Sequence, residues 1–276
     1  MEVDHGIVRA LLPQRADYYA RFIREYGAIR VAEGRYSVKE EYYLSLPYED
    51  VSGKNREQWR IRAKSFDCLM ERVLPEVSFG AKVLDIGAGN CWMSFRLALS
   101  GYRPFAVDLL TNDKDGLAAA VHYDNHLPHP IPRFQAEMTC LPFQEEQFDA
   151  IIFNASFHYS ENYELTLREA LRCLKRGGRV VIIDTPWYSN EESGRQMVTQ
   201  RQASFLNRYG TASDSLPSLE FLTNVRLFKL ERELSIRWQS YSPRYGLKWA
   251  MRPIAASLRG RREPSRFRIY VATKDA

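Results

Sequence analysis

The chain has 276 residues, 45% hydrophobic and 26% charged, enough for one large α/β domain, or a core with attached segments, that needs no staples. No apolar run approaches the roughly 20 residues that span a bilayer, and the acidic start Met1-Glu2-Val3-Asp4-His5 lacks a secretion pattern, so the protein reads as cytoplasmic. The net charge of +5 is uneven: from Arg226 to Ala276 thirteen Lys/Arg face four Asp/Glu, interleaved with apolar residues as on a solvated basic surface, with an acidic partner or membrane surface as the alternative.

Residues 1–75 read as a helical, aromatic-rich cap, with Tyr18, Tyr19, Phe22, Tyr26, Tyr42, Tyr43 and Tyr48 along it. Trp59 to Leu74 carries a helical apolar stripe that Pro75 ends, and residues 46–53 form a loop. From residue 81 short apolar strands alternate with helices. Strands are expected at Lys82–Ile86, Arg103–Asp108, Arg133–Ala136, Phe148–Asn154 and Arg179–Asp184, and helices at Cys91–Ser100 and Asn162–Leu174. That alternation implies a parallel sheet covered on both faces. Ser193–Tyr209 reads as a helix. Leu227–Ile236 and Phe267–Ala272 read as final strands, an antiparallel finish. Between them Tyr245–Leu258 is a basic, aromatic insertion, helical with a break at Pro253. The domain boundary is placed at 75/76, with the basic insertion near 245–262.

Lys82–Ile86 runs straight into Gly87-Ala88-Gly89-Asn90-Cys91-Trp92. A glycine turn between a strand and a helix brings bare backbone close to a ligand. Asp108 ends the next strand about 20 residues on, where a carboxylate can accept from ribose hydroxyls. A dinucleotide fingerprint needs a small residue at the sixth position of the turn, and Trp92 stands there. Asp85, just before the loop, is placed to receive the amino group of a methionine moiety.

Val83–Gly89 resembles motif I of class I S-adenosylmethionine-dependent methyltransferases. Ala106-Val107-Asp108-Leu109 resembles the ribose-binding strand end of that family. Gln135 to Phe143 resembles the segment that faces adenine, with Glu137 where the family usually has Asp. Phe148–Tyr159 and Glu169–Gly178 resemble later motifs of the small-molecule group that includes ubiquinone/menaquinone-pathway enzymes. The resemblance covers roughly residues 80–185. It implies a doubly wound, seven-stranded, mostly parallel Rossmann-like sheet with an N-terminal helical lid, and S-adenosylmethionine as cofactor. Its implied cofactor residues are Asp85, Gly87, Ala88, Gly89, Asn90, Asp108, Leu109, Glu137, Met138, Asn154 and Ala155.

The implied reaction is methyl transfer to an O, N or C nucleophile of a small aromatic or apolar molecule. The fourth strand's end, Asn154 to Tyr159, would lie beside the sulfonium. His158 is the candidate base, since its ordinary pKa is near neutrality, and Tyr159 the candidate orienting group. Trp187 and Tyr188 would line the acceptor's mouth, with Tyr43, Trp59 and Arg62 closing over it; Arg62 suits a carboxylate or phosphate. Two alternatives stay open: a cofactor-binding protein of this fold that does not methylate, such as a cyclase, decarboxylase or regulator, and a membrane-associated lipid methyltransferase. No nucleic acid is expected as partner, because the Asn154 segment lacks an Asn-Pro-Pro-Tyr run. No metal is expected either. His122, His126, His129 and Asp124 read as a surface loop, and Cys68, Cys91, Cys140 and Cys173 as reduced thiols.

Overall fold

The computed structural model describes residues 2–275. Its first elements differ from expectation. Residues 2–9 form an antiparallel hairpin, β1 (Glu2–Asp4) and β2 (Ile7–Arg9), instead of the start of a helix. The cause is the two-residue His5-Gly6 turn, both residues at positive φ (48° and 71°), which matches the twist of a tight hairpin. Helices α1 (Pro13–Ala32), α2 (Glu40–Ser45) and α3 (Arg56–Arg72) follow.

The central unit alternates as the sequence implies. β3 (Lys82–Ile86), α4 (Trp92–Leu99), β4 (Arg103–Asp108), β5 (Arg133–Gln135), β6 (Phe148–Asn154), α5 (Tyr163–Cys173) and β7 (Leu174–Ile183) build the parallel core. Asn162 caps α5 by accepting from Leu165 N at 3.1 Å. Then come α6 (Glu191–Tyr209), α7 (Asn224–Leu234), β8 (Gln239–Tyr241), α8 (Leu247–Ala250), α9 (Arg252–Leu258) and β9 (Ile269–Thr273).

Among the described residues the sheet has nine strands, not seven, in the order β1-β2-β5-β4-β3-β6-β7-β9-β8. The two extra strands are the hairpin, whose β2 pairs in parallel with β5. A second correction concerns Leu227–Ile236. It is helix α7, because Leu227, Leu230 and Leu234 recur at helical spacing and Thr223 caps the first turn. The antiparallel finish is supplied by β8 and β9.

Alternate residues along the strands feed two cores. Val83, Ala106, Ile152 and Val181 pack toward α3 and α4, while Leu84, Val107, Ile151 and Val180 pack toward α5 and α7. α1 joins neither face. Its Tyr19 and Phe22 make a small separate cluster with Leu216. No helix among the described residues is long and apolar enough to cross a membrane.

Candidate functional site

β3 lies between β4 and β6, so the chain runs outward in both directions from it and leaves a crevice at the strand ends. Gly87 fills that crevice's floor at φ 75°, and a Cβ there would stand 2.2 Å from Ser156 Cβ. Gly87 N and Ala88 N both donate to Val107 O, at 2.8 and 3.0 Å. Gly89 N and Leu110 N donate to the Asp108 carboxylate at 2.8 and 2.7 Å. The loop and the end of β4 are therefore one hydrogen-bonded unit. Burial lifts the Asp108 pKa to about 6 against the pull of those amides.

A cavity of about 250 Å³ opens here. Gly87, Asp108, Leu109, Glu137, Met138, Ala155 and Tyr159 line it. Asp85, Ala88, Gly89, Asn90 and Asn154 do not. Asp85 is fully buried, accepting from Ser94 Oγ at 2.8 Å. Its other oxygen has no partner, and burial pushes its pKa up to about 7. Asn154 Oδ1 is likewise buried without a partner. Asn90 donates to Asp115 at 3.1 Å, and Asp115 is ion-paired with Arg30 of α1. The backbone is strained at both neighbouring strand ends, with Ala155 and Asp184 at φ 51° and 55°.

Glu137 is engaged from above. Arg15 of α1 donates to it from Nε at 2.9 Å and Nη2 at 2.6 Å, and Tyr19 OH donates at 3.0 Å. Arg15, Tyr19, Phe22 and Tyr26 thus close the cavity along one face of α1. Their spacing marks a helix face in the sequence, but nothing local says that the face covers a cavity instead of the sheet.

Tyr26 and Tyr159, with rings 5.4 Å apart edge to face, also line a second cavity of about 130 Å³. His158 lies in it beside Met197, Arg201 and Phe205. Burial, reinforced by Arg201 and Arg62, drops the His158 pKa to about 3, so the imidazole is neutral, with Nδ1 unpartnered. Burial also holds the Tyr159 hydroxyl protonated.

The expected acceptor residues are dispersed. Trp59 packs in the core against Trp92, and Tyr43 donates to Lys114 O at 2.7 Å while stacking on His122. Trp187 is core, bridging toward Leu222 and Arg266, and Tyr188 borders a third cavity. Arg62 alone keeps electrostatic reach of the site. Its guanidinium sits 5.2 Å from the Trp59 ring centroid, within the fields of Asp184 and Tyr26. Asp184, missed in the sequence, accepts from Ser65 at 2.5 Å, and burial raises its pKa to about 6. Its position at the end of β7 was the available signal.

A family profile described as a methyltransferase domain matches residues 84–182. The ubiquinone/menaquinone biosynthesis C-methyltransferase UbiE of Allorhizobium ampelinum is 29% identical over 122 residues, 43% of this chain and 46% of that protein. The demethylmenaquinone methyltransferase of Corynebacterium efficiens is 30% identical over 105 residues, 38% of this chain and 42% of that protein. The fold is similar to that of YcgJ from Bacillus subtilis, with a TM-score of 0.54 at 18% identity, over 78% of this chain and 99% of that one. Residues 84–182 are a class I S-adenosylmethionine-dependent methyltransferase domain.

The chain spans less than half the length of these two curated relatives. The methyltransferase domain runs from inside β3 to inside β7. It contains Gly87, Asp108, Glu137 and His158, whereas α1, α3 and everything after Ile182 lie outside it. The cavity at the glycine loop is lined in part by α1, a segment the family match does not reach. Among the described residues no group of three His, Cys, Asp or Glu is placed to hold a metal ion.

Proposed function

We propose that this chain transfers the methyl group of S-adenosylmethionine to an O, N or C nucleophile of a small, largely apolar molecule. The observation that carries the reading is the single cavity that Gly87, Asp108, Glu137 and Met138 share, adjoining a second cavity across Tyr26 and Tyr159. The bound cofactor supplies a methyl group already activated on a sulfonium. The residues fit such a ligand. Asp85, buried behind the glycine loop with one oxygen lacking a partner, suits an ammonium through water; Asp108 suits ribose hydroxyls; and Glu137 with Met138 borders the space for an adenine.

α1 acts as the lid in this reading. Arg15 and Tyr19 hold Glu137, while Phe22 and Tyr26 exclude water from the donor, the main service an activated methyl group requires. Residues 1–75 then serve as cap and 76–276 as the catalytic unit. The acceptor occupies the cavity of His158, where Ile29, Met197 and Phe205 offer apolar contact beside the Arg30–Glu33 and Arg201–Glu220 ion pairs. The names of the two relatives favour a quinone-like ring and a carbon nucleophile. Held neutral, His158 takes part as an uncharged hydrogen-bonding group that aligns the nucleophile. It gains basicity only if the acceptor brings negative charge beside it.

Calorimetry with S-adenosylmethionine and S-adenosylhomocysteine tests the proposal. Binding of both is expected, and folded protein that binds neither would sink it.

A further inference from the structure

The cavity of His158 has a second neighbour. Pro186 and Met197 line both it and a wide cavity of about 840 Å³ between α6 and the segment 252–265. The three cavities thus adjoin in series, from the glycine loop, past Tyr26 and Tyr159, past Pro186 and Met197, to an outer basin.

That basin is lined by four arginines, Arg252, Arg259, Arg261 and Arg262, and by no carboxylate. Neutral groups hold the two half-buried ones. Arg262 donates to Gln200 Oε1 at 2.7 Å and to the Glu263 carbonyl at 3.0 Å, and Arg252 lies 3.7 Å from the Trp249 ring centroid. The nearby Glu263 side chain is turned to Ser189 and Arg266. Among the described residues none of the four is ion-paired, unlike Arg201 and Arg226 close by. Burial and the field of Arg262 both lower the Arg252 pKa, so two guanidiniums repel each other across a space with no counter-charge. A solvated basic face would let such side chains spread apart. Here Tyr188 and Gln200 hold Arg262 and Trp249 holds Arg252, with the exposed Arg259 and Arg261 on the same rim.

We infer that this basin is the anion-binding end of the acceptor site, taking a phosphoryl group of the methyl acceptor while the reacting end passes Met197 to reach His158. Naming the ligand as the acceptor rests on the methyl-transfer reading; the basin's affinity for phosphate does not. Phosphate is favoured over carboxylate by charge. A phosphoryl group brings about −1.5 to −2 and three acceptor oxygens to planar donors, whereas one carboxylate would leave most of the four cations uncompensated. Met197 suits the neck, being unbranched and adaptable. The phosphate could belong to a soluble ester or a lipid headgroup, since Leu247, Met251, Ile254 and Leu258 are exposed along α8 and α9.

Inorganic pyrophosphate is the probe, titrated calorimetrically into the full chain. It should bind the wild type and bind at least tenfold more weakly to Arg252→Gln/Arg262→Gln. It should weaken similarly in Arg259→Glu/Arg261→Glu, an exposed pair whose exchange spares the fold. S-adenosylhomocysteine affinity should stay within about twofold in both, as the sites do not share residues. The Met197 methyl resonance, assigned with Met197→Leu, should shift on pyrophosphate addition. Protein that binds S-adenosylhomocysteine yet ignores pyrophosphate, or charge reversal without effect, overturns the basin. An unmoved Met197 signal overturns the passage to His158. Pyrophosphate binding without S-adenosylhomocysteine binding removes the link to methyl transfer. Flotation with phosphatidylglycerol vesicles, lost on charge reversal and absent with phosphatidylcholine, places the phosphate on a lipid; pyrophosphate binding without flotation places it on a soluble ester.

Discussion

At the glycine-loop end of the cavity series, the carboxylates and bare amides come from strand ends or the turns after them. At the end of His158 and the arginines, the walls are helices α1 and α6 with the segment 252–262, from opposite flanks of the chain. The first end is fixed by the hydrogen-bonded ladder of the sheet. The second is fixed by side-chain packing between elements far apart in sequence. The sheet end can stay fixed while α6 and the segment 252–262 are reshaped; α1, which walls both ends, is the exception.

The comparison can be broken most sharply at Trp59. The residue is 1% exposed and packed against Trp92, so it belongs to the scaffold beneath both ends. Trp59→Ala should cost about 3–5 kcal/mol in urea unfolding; a loss below about 1 kcal/mol would return Trp59 to the acceptor's cover. Gly87→Ala comes next, since its Cβ meets Ser156 and its φ is positive. S-adenosylhomocysteine affinity should fall by about a hundredfold, roughly 2.7 kcal/mol, and near-normal binding would show that the loop gives way. Asp108→Asn removes a charged acceptor and should weaken binding by about 1.5–3 kcal/mol, read by the same calorimetry.

The pH dependence sharpens the contrast between carboxylate and arginine ends. The Asp85 pKa is raised to about 7. Below that pH the carboxyl holds a proton, which must leave before it can accept an ammonium. S-adenosylhomocysteine affinity should therefore fall as pH drops from 8 to 6, approaching tenfold per unit below 7, or about 1.4 kcal/mol. Asp85→Asn should flatten the profile, and a persistent slope would assign it elsewhere. The smallest effect is expected for Arg15→Lys, which keeps the charge but loses the fork on Glu137. Dissociation of S-adenosylhomocysteine should quicken a few-fold in stopped flow, about 0.5–1 kcal/mol; an unchanged rate would uncouple α1 from cofactor release.

The parallel core was legible where its strands are short, largely apolar runs, as in β3, β4 and β6, the last two closing on Asp108 and Asn154; β5, Arg133–Gln135, carries one apolar residue and shows by position alone. The glycine turn was legible because a short apolar strand runs straight into Gly-x-Gly ahead of a helix. The hairpin was hidden by its brevity: three-residue strands carry almost no periodicity, and His5-Gly6 was the only clue. α7 was misread because a Leu-Phe-Lys-Leu run satisfies both periods over four residues, and only Thr223 and Leu234 decide for the helix. Tyr43, Trp59 and Trp187 misled for a different reason. An aromatic side chain packs in a core as readily as it lines a pocket, and its partners are fixed only in three dimensions.

The hairpin at the sheet edge has a mechanical consequence. β2 is bonded to β5, Ala10 N donates to Gln135 O at 3.0 Å, and α1 begins at Pro13 with Arg15 on Glu137. The far half of the helix is tied as well, by the buried Arg30–Asp115 ion pair. Tyr26 lies between the two anchors and lines both the glycine-loop cavity and that of His158. Loosening either anchor would therefore move the shared wall of both cavities at once.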